Sequence, residues 1–118
     1  MKKYELTTDT KLCFGRKLFR IKALISFGDV TAGDIGGYVE KEENLSQCGD
    51  AWVSGNAEIY GNAQVYGDAW VCGNAQVCGN AQVFDDAWVC GNAQVCGDAR
   101  VSGNAEIYGN AQVYGDAW

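Results

Sequence analysis

From Gly49 onward the chain repeats one six-residue phrase, Gly-(Asn/Asp)-Ala-x-(Val/Ile)-x, about twelve times without a gap. It reads GDAWVS, GNAEIY, GNAQVY, GDAWVC, GNAQVC, GNAQVF, DDAWVC, GNAQVC, GDARVS, GNAEIY, GNAQVY and a shortened GDAW. Ala and Val or Ile stand two apart, so an extended backbone turns them to one side and the two x residues to the other. The first pair is apolar in every repeat, whereas x ranges over Trp, Gln, Glu, Arg, Ser, Cys, Tyr and Phe. Gly followed by Asn or Asp supplies a corner. Glycine reaches positive φ at no steric cost, and Asn and Asp tolerate left-handed geometry better than most residues. Four extended residues and a two-residue corner, repeated, describe a polygon that climbs. A helix is excluded, because glycine at every sixth position would cost about 1 kcal/mol each time and the apolar period is not 3.6. Stacked hairpins are the rival reading, since such corners suit two-residue turns. Strands of four residues make a poor meander, however, and short repeat periods mark parallel β-helices.

The phrase in Val53-Ser54-Gly55-Asn56-Ala57-Glu58 and its successors resembles the hexapeptide-repeat left-handed β-helix of the acyltransferases, over about 70 residues. That resemblance implies an all-β, three-sided, left-handed parallel β-helix with 18 residues per coil. The chain departs from the family in placing Tyr60, Tyr66, Cys72, Cys78, Phe84 and Cys90 just after the aliphatic residue. Acyltransferases of this fold use a histidine base, and the related zinc hydratases use histidine ligands. This chain contains no histidine. No catalytic residue, metal ligand or cofactor carries over, and Glu58 and Glu106 are expected to be outward, solvated carboxylates. A non-enzyme is expected, with an acyltransferase-like enzyme the weakest alternative.

At 118 residues the chain is one domain. Residues 1–30 are expected to form an N-terminal β cap, 31–48 a degenerate first coil with Ile35, Val39 and Leu45 inward, and 49–118 the regular solenoid. Lys17 to Ile25 alternates apolar and basic residues as a strand does; Tyr4–Leu6 and Leu12–Phe14 are weaker strand candidates. The stretch from Lys17 to Ser46 resembles the leader of small β-helical proteins carried by bacterial prophages, which implies a prophage-type accessory protein. Residues 1–48 carry a net +1 and residues 49–118 a net −7, so the solenoid would repel nucleic acid. The amino end lacks the apolar h-region of a secretory leader, and no apolar run is long enough to span a membrane. Six cysteines without such a leader imply free thiols in a reducing cytoplasm.

Residues 18 apart should stack about 4.8 Å from one another. One column then holds Trp52, Trp70 and Trp88, followed by Glu106. With Tyr60 and Tyr66 these tryptophans form the candidate protein-binding surface; the alternative is that they only strengthen neighbouring rungs. Cys72 falls over Cys90 and Cys78 over Cys96, on different faces, which excludes one shared zinc. Rung spacing lies within disulfide range, but side-by-side parallel strands present awkward geometry, so free thiols are expected. Asn56, Asn74, Asn92 and Asn110 should form an amide ladder. Asp50, Asp68 and Asp86, with Asp85 beside them, are solvated corner residues or a weak calcium site. A homodimer joined end to end through the final coil is expected, with Tyr108, Tyr114 and Trp118 at its edge; a cut fragment is the alternative. The function that follows is non-catalytic: a rigid acidic solenoid that docks a protein partner. Its sharper form is an inhibitor of a host defence nuclease whose Asp and Glu stand in for phosphates. A self-assembling structural solenoid is the other reading.

Overall fold

The computed structural model describes residues 3–13, 15–28, 30–47 and 49–113. Strands β1 (Tyr4–Cys13) and β2 (Arg16–Ala23) form an antiparallel hairpin, and β2 also pairs antiparallel with β3 (Ile35–Val39). Every later strand is two residues long and consists of the x-Val or x-Ile pair of the phrase, from Trp52–Val53 to Gln112–Val113. The helical content of the described residues is a single 3-10 turn, Glu42–Asn44.

The short strands stack in parallel on three faces. The first runs Tyr38, Glu58, Gln76, Gln94, Gln112. The second runs Gln64, Gln82, Arg100, with Leu45 bridging to Val65 ahead of it. The third runs Trp52, Trp70, Trp88, Glu106. The protein is therefore an all-β parallel solenoid of about four turns with an 18-residue coil. One coil is irregular. Val39 pairs with Ile59 and Leu45 bridges to Val65, twenty apart, whereas Val53 pairs with Val71 at the regular eighteen. Two extra residues therefore lie between Leu45 and Val53.

The interior is the apolar pair of the phrase. Ala51 to Ala99 and Val53 to Val101 are all 4 % exposed or less. Each valine adds about 1.5–3 kcal/mol of burial at most, so coils hold together through their neighbours and stability accumulates along the axis. Val39 and Leu45 join this core, but Ile35 is 53 % exposed. It stands opposite Lys22 at the start of β3, and the backbone of Gly36 and Gly37 comes up against the core instead. A Cβ on Gly36 would sit 2.5 Å from the Val53 carbonyl, and one on Gly37 2.7 Å from that of Ala57. No larger residue fits between β3 and the coil beneath.

The coils are joined with a fixed sense. Trp52, Ser54 and Asn56 each donate a backbone N–H to a carbonyl in the next coil, those of Ala69, Val71 and Gly73, at 2.8–3.0 Å. Above the first coil the donors are mixed: the carbonyls of Ala57, Ile59 and Val65 accept from the backbone amides of Tyr38, Glu40 and Ser46, and side chains supply other donors. Buried Lys3 donates through Nζ to the carbonyls of Ala51 (2.8 Å) and Gly49 (3.3 Å). Buried Asn44 donates through Nδ2 to Ala63 (2.9 Å) and Gly61 (3.3 Å), while its Oδ1 accepts from the amides of Lys41 and Glu40. The Tyr4 hydroxyl lies 2.6 Å from the Leu45 carbonyl and 2.8 Å from that of Glu42.

Burial first, then the charges of Glu42 and Glu43, push the Tyr4 phenol far above its ordinary range. The neutral phenol is the form the fold holds. Below the usual tyrosine pKa of about 10 neither state ionises, so the contribution is complete. Above it the unfolded chain loses the proton while the folded chain keeps it, and stability falls as pH rises. The Tyr4→Phe variant should lose about 1 kcal/mol near neutrality. Relative to the wild type, it should show a shallower loss of stability above about pH 10. Urea midpoints from pH 7 to 11 measure both effects.

Candidate interaction surface

The third face carries the tryptophan column, and the column divides in two. Trp52 is 2 % exposed. Phe27 meets its ring edge-on at 5.5 Å and Tyr4 does so at 6.4 Å. The expected outward triplet is thus corrected to a pair, because the N-terminal segment folds over the first coil. Trp70 is half-buried, Trp88 is 47 % exposed, and their rings stack at 5.9 Å with 16° between planes. Exposed Glu106 takes the next place in the column.

Tyr60 is also covered. It packs with Leu18 and Tyr38, and the Arg16 guanidinium lies 5.9 Å from its ring. Tyr66 stays half-buried and stacks on Phe84 at 5.0 Å, with the rings nearly parallel. Phe84 was not among the expected contact residues, although its separation of eighteen from Tyr66 was the signal. The two aromatic stacks flank one corner of the prism, which carries exposed Asp68, Asp85 and Asp86. Tyr108 is 70 % exposed. Tyr114 and Trp118, the other expected edge residues, lie outside the described residues.

The first face is a polar ladder partly sealed by the hairpin. Gln112, Gln94 and Gln76 each donate to the residue one coil back, ending at Glu58 (3.2–3.4 Å). Glu58 pairs with Lys11 of β1, and Lys11 and Arg20 both lie over the Tyr38 ring, at 4.3 and 4.4 Å. The asparagine ladder forms from Asn74 through Asn92 to Asn110 at 3.3 Å. Asn56, at its head, accepts from Arg20 instead.

A family model described as the YdcK Beta solenoid repeat matches residues 57–73, 75–91 and 93–109. The matched units begin eighteen residues apart, which is the coil seen in the strand register. The chain is a β-solenoid repeat protein. A search of the curated proteins finds no match.

The cysteines of the solenoid are not free thiols. Cys72 and Cys90 form one disulfide, and Cys78 and Cys96 another. Parallel rungs set each pair of Cα atoms 4.6 and 4.7 Å apart, inside the range a disulfide spans, so the parallel arrangement is no obstacle. The bonds lie at two corners and tie two successive coils together. A reducing compartment therefore no longer follows from the cysteines. Each bond joins residues 18 apart and constrains the unfolded chain by about 3 kcal/mol. Full reduction should therefore lower the thermal midpoint by well over 10 °C, read by circular dichroism with and without dithiothreitol. An unchanged midpoint would mean that these bonds carry no stability.

The solenoid also has a groove of about 410 Å³ lined by Glu43, Ser46, Gln64, Val65 and Tyr66. Among the described residues no group of three His, Cys, Asp or Glu side chains converges on a point where a metal ion could sit. No helix of the described residues is long and apolar enough to cross a membrane.

Proposed function

We propose that the solenoid is a non-catalytic scaffold that docks a protein partner through the aromatic steps beside its acidic corner. The observation that carries this reading is the stacked Trp70–Trp88 pair, whose outer ring is exposed. Tryptophan concentrates binding energy where interfaces are most fully dried. Here stacking and the rung spacing hold the rings before a partner arrives, so little side-chain entropy is lost on binding. The alternative that the rings only brace adjacent rungs accounts for the stack but not for so much exposed indole surface on the outer member. The absence of histidine from the sequence supports the non-catalytic part.

The finer form of the reading is a prophage-type accessory protein that inhibits a host defence enzyme by filling a basic nucleic-acid channel. The net −7 of residues 49–118 supports it. The test is capture from bacterial lysate by the wild type and by a Trp70→Ser/Trp88→Ser variant, with Trp52 left in place under its cover. The variant should fold, as judged by an unchanged β-sheet circular dichroism spectrum, and lose the proteins that the wild type retains. Equal recovery of the same proteins by both would contradict the proposal. Light scattering at several concentrations separates a closed homodimer, the expected assembly, from open-ended growth, which would favour the structural reading.

A further inference from the structure

We infer that the partner segment seated on this surface is basic, and that one of its arginine side chains lies along Trp88 with its guanidinium against Glu106. The inference rests on the docking reading above and names the chemistry of the occupant. Trp70 covers one face of Trp88. In the column, Glu106 takes the place a third ring would hold, in parallel register with Trp88. Rungs lie about 4.8 Å apart, so a flat cation on the indole stands within the roughly 6 Å over which a ring attracts it. The same cation reaches the carboxylate one rung on. A guanidinium does both at once, because its planar fork pairs with carboxylates and its face stacks on aromatic rings.

The surroundings carry the same sign. Asp68 and Asp86 stand at the corner just before Trp70 and Trp88, and both are exposed. Residues 49–118 contain one cation, Arg100, and it lies on the second face, paired with Gln82 in the sheet. The third face therefore presents indole and carboxylate together, with no cation of its own on that face among the described residues. An apolar segment would satisfy the rings and strand the carboxylates; an acidic one would be repelled. An arginine-bearing segment satisfies both.

The test titrates the oxidised protein with a blocked Gly-Arg-Gly-Arg-Gly peptide, following tryptophan fluorescence and heat, against the same peptide with citrulline in place of arginine. Citrulline keeps the shape and removes the charge. The arginine peptide should bind saturably, and citrulline should weaken binding on the order of tenfold or more. Glu106→Gln should weaken arginine binding roughly fivefold and shrink the arginine–citrulline difference. Trp88→Leu should abolish the binding heat at the same peptide concentrations. Circular dichroism melts of both variants confirm that they fold, and Glu106→Gln serves alone if Trp88→Leu does not. Equal affinity for the two peptides overturns the inference, as does no saturable binding at millimolar peptide or an unaltered affinity in Trp88→Leu. If lysate capture still depends on Trp70 and Trp88 while the peptides bind alike, the docking surface stands and the arginine assignment falls. If neither capture nor peptide binding responds to Trp88, both fall.

Discussion

Replacing Gly73 by valine is expected to lower the unfolding free energy by about 3 kcal/mol or more. Two effects combine. The backbone there has φ +69°, a region that costs a β-branched residue more than it costs any other kind. The added Cβ would also lie 2.8 Å from the Gly91 nitrogen and 2.9 Å from its carbonyl oxygen. These are backbone atoms of the coil beneath, so they can yield only if the rungs part. Gly103 separates the two causes. Its φ is +63°, but nothing lies within 4 Å of a Cβ added there, so Gly103→Val should show the strain alone, on the order of 1–2 kcal/mol. Urea denaturation of the two variants measures the difference. Equal losses would mean that the close stacking of corners is unimportant. Asp85 shows how the chain itself manages the problem. It is the non-glycine described residue with positive φ, at 59°, and its carboxylate accepts from the Gly103 amide one coil on at 3.1 Å.

Truncating Asn44 to alanine should be nearly as damaging, at about 3 kcal/mol. The side chain is fully buried and bonds to four backbone groups, the amides of Glu40 and Lys41 and the carbonyls of Gly61 and Ala63. Removing it strands groups that water reaches poorly, each worth about 1–3 kcal/mol if left wholly unsatisfied. Partial hydration of the new space would hold the total toward the lower end. Asn44→Asp is the sharper probe. It keeps the acceptor oxygen and turns the donor into a second acceptor facing two carbonyls, so it should be no more stable than the alanine variant at pH 7. An aspartate variant close to wild type in urea would show that donation to Gly61 and Ala63 is dispensable. The same logic covers Lys3 at the next corner, where the donor is an ammonium.

The repeat made the interior and the coil legible. Ala and Val two apart, with a corner every six residues, state which side chains are inside; the three sides, and with them the register of eighteen, are what the resemblance to hexapeptide-repeat β-helices implied. What the sequence hid is aperiodic. Trp52 looks like Trp70 and Trp88 in its own hexapeptide, and what covers it lies outside the repeat: Phe27 and Tyr4 against its ring and the backbone of Gly36 close to its edge. Tyr60 is hidden in the same way by Leu18 and Tyr38. The two extra residues before Val53 fall where the phrase has not yet begun, so no period marks them. Ile35 looks inward because it is apolar, but close backbone approach at Gly36 and Gly37 fills that place. The cysteine pairs are visible as columns. Their bonding is not, because parallel strands are expected to set the side chains awkwardly, whereas stacked rungs bring them within bonding distance.

These differences leave a candidate surface smaller than the sequence suggested and better defined. Two of five expected contact residues, Trp52 and Tyr60, belong to the packing of the N-terminal segment. Trp70, Trp88 and Tyr66 remain, joined by Phe84, around a corner whose ionisable side chains are acidic. The reading now turns on two adjacent coils rather than on the whole length of the solenoid.

Non-reducing peptide mapping of the oxidised protein tests the stacking most directly, because the four cysteines sit in near-identical hexapeptides that only the coil length tells apart. An Asp-N digest, which cuts before Asp68, Asp85, Asp86 and Asp98, read by mass spectrometry should yield residues 68–84 joined to 86–97. That link should persist in a Cys78→Ser/Cys96→Ser variant and be lost in Cys78→Ser/Cys90→Ser, as the pairs Cys72–Cys90 and Cys78–Cys96 require. Links between Cys72 and Cys78, between Cys78 and Cys90, or between Cys72 and Cys96 would require six, twelve or twenty-four residues to bring a side chain back over itself, and would contradict the three-faced coil on which every column rests.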